Sequence, residues 1–201
     1  MTDEIALSVE NLKTFFYTNK RCNKAVNGVS FNIKKGKTLC VVGESGCGKS
    51  VTASTIMQLL PTLSRIEEGS VTYHSDRGDI RIDELPRDGS EMRRIRGSEI
   101  SMIFQDPMTA LNPVYTIGFQ IAESLQYHTD LNSSEIKARV IELLTDMGIP
   151  LPEQRAEEYP HNFSGGMRQR AMIAMAMSCN PQILIADEPT TALDVTIQAQ
   201  I

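Results

Sequence analysis

The eight residues GESGCGKS, Gly43 to Ser50, constrain what this chain can fold into more than any other stretch. They fit the pattern G-x-x-x-x-G-K-[ST], with the apolar run TLCVVG before them and the helical run KSVTASTIMQLL after. Glycines let the backbone curl so that successive N–H groups point inward at phosphate oxygens. The start of the following helix adds partial positive charge, Lys49 reaches the β- and γ-phosphates, and the Ser50 hydroxyl ligates Mg²⁺. Strand, tight loop and helix must follow one another for this to work, which implies an α/β fold around a parallel sheet. TLCVVG is therefore expected as a strand and KSVTASTIMQLL as a helix ended by Pro61. Val51 brings no hydroxyl, so only its N–H can serve a phosphate. Cys47 reads as a small residue that fits the loop rather than as a redox sensor.

A second stretch completes such a site. QILIADEP reads as a buried apolar strand that ends in two acids, Asp187 and Glu188. A strand that delivers Asp187 to the Mg²⁺ shell is the usual companion of a phosphate-cradling loop. Glu188 beside it can orient or deprotonate an attacking water, which is positioning work rather than covalent chemistry. Gln105, at the end of SMIFQ, reads equally as a surface amide or as a neutral group that contacts Mg²⁺ and the water. FSGGMRQR, Phe163 to Arg170, offers bare amides at a helix start but no lysine and no acid, so it is not a complete site.

Around these motifs the pattern is readable. IALSVENL and AVNGVSFNI alternate like strands, KKGK turns, and GSVTYHSDRGDIRI is strand broken by a polar turn. From about 106 to Tyr159 the texture is helical. Asn132 with Glu135 forms a capping box; Ile136, Val140, Leu143, Leu144 and Met147 share one face, and Gly148 and Pro150 stop the helix. Another helix runs from the SGG through MRQRAMIAMAMS. Its methionines, Met167, Met172, Met175 and Met177, read as core filler rather than a soft-metal site. The run DELPRDGSEMRRIRGSE reads as solvated surface, and His161 as a loop residue packed near the SGG.

Composition narrows the function classes. A formal charge of −5 argues against a nucleic-acid partner. No apolar run approaches the roughly 20 residues of a membrane-spanning helix, and MTDEIALSVE has no signal-peptide pattern. The four cysteines, Cys22, Cys40, Cys47 and Cys179, show no metal spacing, and Cys40 and Cys179 are expected as small buried hydrophobes.

GESGCGKS, FQDP, FSGGMRQR and LIADEPTTALD, in this order, resemble the ATP-binding subunit of an ABC transporter. The longer stretches SMIFQDPMTALNPVYTIGFQIAES and YPHNFSGGMRQRAMIAMAMSCNPQILIADEPTTALDVTIQAQI resemble its oligopeptide, dipeptide and nickel importer subfamily. The resemblance implies a P-loop NTPase core with an N-terminal antiparallel β subdomain and an inserted α-helical subdomain. Divided on this basis, residues 1–105 form the first part of the core, 106–160 the helical subdomain and 161–201 an incomplete second part. It implies ATP on Gly43, Glu44, Ser45, Gly46, Cys47, Gly48, Lys49, Ser50, Val51 and Gln105. It also implies Mg²⁺ on Ser50, Gln105 and Asp187, and Glu188 as the catalytic residue. Phe16 in TFFYT stands where the adenine-stacking aromatic is expected, with Phe15 and Tyr17 as rivals. Ser164, Gly165, Gly166 and Met167 would meet the ATP of a second ABC subunit, identical or related, and Asp194 would link the two sites.

The implied partners also include transmembrane permease subunits, against the lobe from Pro107 to Gln120, and indirectly an extracytoplasmic solute-binding protein. The implied location is the cytoplasmic face of the membrane. The function implied is a motor that powers solute uptake, of oligopeptides or dipeptides, with nickel or another chelate as the alternative. A chromosome or DNA-repair ATPase fits less well, because fewer than sixty residues separate Gln105 from Ser164 and carry no sustained heptads. The family's switch histidine has no counterpart, since His74, His128 and His161 all come too early. The chain is therefore expected to be a C-terminally truncated piece of a longer protein, and a nucleotide-binding module without turnover is the third reading.

Overall fold

The computed structural model describes residues 4–18 and 21–189, without the side chains of Met108 and Thr109. Asp194 lies outside the described residues. The chain divides into two compact units, 1–93 and 94–201.

The first unit is built on two long strands, β1 (Ile5–Thr18) and β2 (Arg21–Lys34), paired antiparallel. Next come α1 (Lys49–Ile56), β3 (Ser64–Ser75) and β4 (Gly78–Arg81), and the sheet order is β2-β1-β3-β4. Period-2 alternation sets Leu7 opposite Tyr73 and Val9 opposite Val71, all four buried in one apolar layer. Thr14 leaves β1 toward α1, where its hydroxyl meets that of Thr55 at 3.1 Å in a buried pair. α2 (Ser90–Arg94) follows and carries the fully buried Met92. The charged run around it is thus not all solvated: Ile95 is also buried, and Asp83 accepts from the Val71 amide at 2.8 Å.

Three expectations fail here. TLCVVG forms no strand: residues 37–44 join no strand ladder among the described residues, and Val42 is 86% exposed. A parallel strand exists only by exchanging its N–H and C=O groups with neighbours, and an apolar run cannot make a ladder alone. Cys40 is exposed with it. α1 also ends short of Pro61, at Ile56, where Gln58 turns left-handed with φ 49°.

In the second unit β5 (Ile100–Ile103) pairs in parallel with β6 (Ile183–Ala186), Ile103 opposite Ala186. Between them lie α3 (Pro107–Ala110), α4 (Ile117–His128), α5 (Ser133–Asp146), α6 (Pro152–Ala156) and α7 (Gly165–Met177). Ile117, Ile121 and Leu125 of α4 and Ile136, Val140 and Leu144 of α5 close one core, and Ala171 and Ala174 of α7 enter it. The other flank of α7, with Met172, Ile173 and Ala176, packs on Ile103 of β5. Buried on both flanks, α7 has little apolar asymmetry, and small alanines between methionines let neighbours approach from two sides. Strand β6 is less buried than its sequence suggests: with a partner on one side only among the described residues, Leu184 stays 40% exposed.

Candidate functional site

The loop that the sequence reads as a phosphate cradle leads into the start of α1. Gly48 stands at φ 101°, and a Cβ there would lie 2.4 Å from the Ala25 carbonyl, so only glycine closes the loop against β2. Lys49 Nζ donates to the carbonyls of Gly43 at 2.7 Å and Glu44 at 3.0 Å, folding the side chain along its own loop. The Cys47 sulfur is 4.0 Å from the same nitrogen. The Ser50 hydroxyl makes no hydrogen bond among the described residues and is exposed.

The three aromatics of TFFYT separate by face. Register between β1 and β3 is unbroken from Thr14 to Phe16, so Phe16 shares the α1 side with Thr14. Phe15 points away and carries Lys24 Nζ over its ring, 5.4 Å from the centroid. Tyr17 points away too, and hydrogen bonding to the Glu67 carboxylate pushes its phenol up to about 12.

In the second unit the acids sit where the β5–β6 ladder ends. The Asp187 amide donates to the Ile103 carbonyl at 3.0 Å, extending the ladder by one bond. Its carboxylate has no ion pair among the described residues. Glu188 follows at φ 51°, a left-handed conformation that costs a non-glycine residue about 1–3 kcal/mol. Pro189 comes next and disfavours that backbone further. Gln105, 83 positions earlier in the chain, donates from Nε2 to Glu188 Oε2 at 2.8 Å. β5 and β6 thus bring together Gln105, Asp187 and Glu188.

Ser164 caps α7, its hydroxyl accepting from the Met167 amide at 3.3 Å, and the buried Phe163 anchors the approach. Among the described residues a Cβ on Gly165 would meet nothing within 4 Å, so their packing does not require glycine there. The bare backbone instead leaves open the way to the amides of the first turn. Arg168 and Arg170 are drawn inward, Nε of Arg168 to the Pro160 carbonyl at 2.7 Å and Nη1 of Arg170 to that of Gly148 at 2.8 Å. His161 stacks on Tyr159, ring centroids 5.5 Å apart. Burial raises the Cys179 thiol, as expected of a small hydrophobe.

Two buried amides escaped the sequence reading. Gln120 holds the turn before α4 by donating to the carbonyls of Asn112 and Tyr115, each at 3.0 Å. Gln169 is fully buried and donates to the Pro189 carbonyl at 2.6 Å. The signal was there: each is an amide set into an apolar helical face, Gln120 between Ile117 and Ile121, Gln169 among the alanines and methionines of α7.

A model of the family described as "ABC transporter" matches residues 26–191. The dipeptide transport ATP-binding protein DppD of Bacillus subtilis (strain 168) is 53% identical over 199 residues, 98% of this chain and 58% of the relative. The oligopeptide transport ATP-binding protein AppD of the same organism is 53% identical over 196 residues, 97% of this chain and 58% of the relative. The chain therefore spans 58% of the length of these two curated relatives. Among solved structures, a dimeric, post-hydrolysis ATP-binding cassette, MJ0796 bound to ADP and Pi, superposes with a TM-score of 0.83 at 30% identity. That match covers 97% of this chain and 79% of the other.

Proposed function

Because the chain belongs to the ABC transporter family, we propose that it is the ATP-binding part of an importer's motor subunit, which hydrolyses MgATP to drive uptake of small peptides. The observation that carries the reading is Gln105 bonded to Glu188 at the end of a parallel strand, in a chain that also holds a glycine-dependent phosphate loop. Peptides as cargo rest on the names of the relatives, DppD and AppD among them.

In this reading Gly43, Glu44, Ser45, Gly46, Cys47, Gly48, Lys49, Ser50 and Val51 cradle the phosphates of ATP, with Lys49 giving up its loop carbonyls for phosphate oxygens. Phe16, on the α1 side of β1, is the surface for adenine, since Phe15 and Tyr17 face elsewhere. The residues assigned to Mg²⁺ are Ser50 of the first unit and Asp187 and Gln105 of the second: each offers a hard oxygen donor, and the Ser50 hydroxyl and Asp187 carboxylate have no competing partner among the described residues. When bound, the ion would supply charge neutralisation to the phosphates. Glu188 orients the attacking water and takes its proton, and the Gln105 amide fixes its carboxylate oxygen.

Ser164, Gly165, Gly166 and Met167 have the donors of an anion site but no cation, so they serve the γ-phosphate bound to a second ABC subunit, identical or related. Asp194 joins the two sites of that dimer. The helical stretch 106–160 faces the membrane partner. A cavity of about 310 Å³ between α4, α5 and α6, lined by Phe119, Ala122, Ile136 and Val140 among others, gives a permease segment a place to enter. No helix among the described residues is long and apolar enough to cross a membrane. This fits peripheral attachment at the cytoplasmic face, with the solute-binding protein reached only through the permease.

The test is Glu188→Gln in the full-length protein assembled with its partners. Turnover of MgATP is expected to fall to background while ATP is retained in a stable dimer. Wild-type turnover in that variant overturns the role of Glu188.

A further inference from the structure

Volume alone does not explain Gln169. Its side chain is fully buried, and its Oε1 meets no donor among the described residues. A methionine would fill the same space without leaving an orphan acceptor, and half-satisfied buried amides are costly. The other half of the amide is the part in use. Nε2 donates to the Pro189 carbonyl at 2.6 Å, and since a carbonyl can only accept, the reverse orientation of the amide is excluded.

That carbonyl lies directly after Glu188. The acid stands at φ 51° and precedes a proline, so its conformation has to be held from outside. On the N-terminal side the hold is the Asp187 amide on the Ile103 carbonyl. On the C-terminal side it is Gln169. Gln169 also belongs to α7, five residues after the capping Ser164, roughly 7.5 Å along a rigid helix.

We propose that Gln169 is a positioning residue for Glu188, a single buried amide that ties the helix bearing Ser164 to the turn bearing the acid. The inference rests on the functional reading above and deepens it. An anion that draws the α7 N-terminus toward itself shifts the anchor of Glu188 in the same subunit. Occupancy of the partner's ATP site is thereby reported to this subunit's own acid. Gln169 touches neither ATP nor water.

The test compares wild type, Gln169→Met and Glu188→Gln in the full-length, assembled protein. Methionine keeps the volume and removes the donor. The expected result for Gln169→Met is a fall in kcat for MgATP of about 10- to 100-fold, the size of a misplaced catalytic group, with KM and ATP affinity within about twofold of wild type. The melting temperature stays within a few degrees. Should the methionine variant not fold, Gln169→Asn replaces it: that amide is one methylene too short to reach Pro189, and the same loss is expected.

An unchanged kcat in an enzyme that Glu188→Gln silences overturns this proposal alone. A fall in kcat matched by lost ATP affinity and a lowered melting temperature also overturns it, because that is the signature of packing. A wild-type protein without turnover overturns the functional reading and this one with it.

Discussion

Gly97 and His128 show how a single position is constrained by one neighbour. Gly97 stands at φ 104°, and a Cβ there would lie 2.7 Å from His128 Nε2, at the end of α4. Gly97→Ala should therefore destabilise the second unit by about 1–3 kcal/mol, read from the midpoint of urea unfolding. The same contact buries the imidazole, and burial lowers its pKa below the usual 6.5. The folded chain then binds fewer protons than the unfolded one at pH values beneath 6.5. Stability is full above that pH and is lost as pH falls through the folded value. His128→Gln should flatten this acid slope in melting scans from pH 7.5 to 5. Neither partner is visible in the sequence as a pair, because 31 positions separate residues that only the packing of α4 brings together.

The helices divide by whether their instructions are local. For α5 everything needed lies within a few residues. Asn132 Oδ1 accepts from the amides of Ser134 at 3.0 Å and Glu135 at 3.1 Å, and Glu135 returns the bond to the Asn132 amide at 2.7 Å. Ile136, Val140, Leu143 and Leu144 then bury one face, and Gly148 at φ 64° ends the run. Asn132→Ala should cost about 1 kcal/mol, seen as a lower melting temperature and faster amide exchange in the first turn of α5. The cap of α7 by Ser164 was equally legible. Gln169 was not, since its partner is a carbonyl beyond the next strand. TLCVVG misled for the same reason, because a parallel strand depends on neighbours that no local pattern encodes.

For the molecule as a whole, the motifs announced the chemistry but not which pieces the fold holds together. Gly43, Lys49, Asp187 and Glu188 were recognisable from spacing, whereas the bond between Gln105 and Glu188 needed the β5–β6 ladder. The apolar stretch around Leu39, Val41 and Val42, which precedes GESGCGKS, is exposed in the first unit and offers a surface for self-association. Val42→Lys should reduce both self-association in light scattering and the fluorescence of a dye that binds apolar surface.

The adjacency of β5 and β6 also has an engineering meaning. The chain leaves the sheet at Ile103 and returns at Ile183, opposite Ile100 at the other end of the neighbouring parallel strand, so the helices between span the two ends of one short ladder. Such a lobe can be exchanged as a cassette, but the seam cannot be set anywhere. α7 is riveted to β5 through Met172 and Ile173 and to the turn after Glu188 through Gln169. A graft that swaps residues from Pro107 to Tyr159 leaves those rivets in place. One that reaches into α7 removes them.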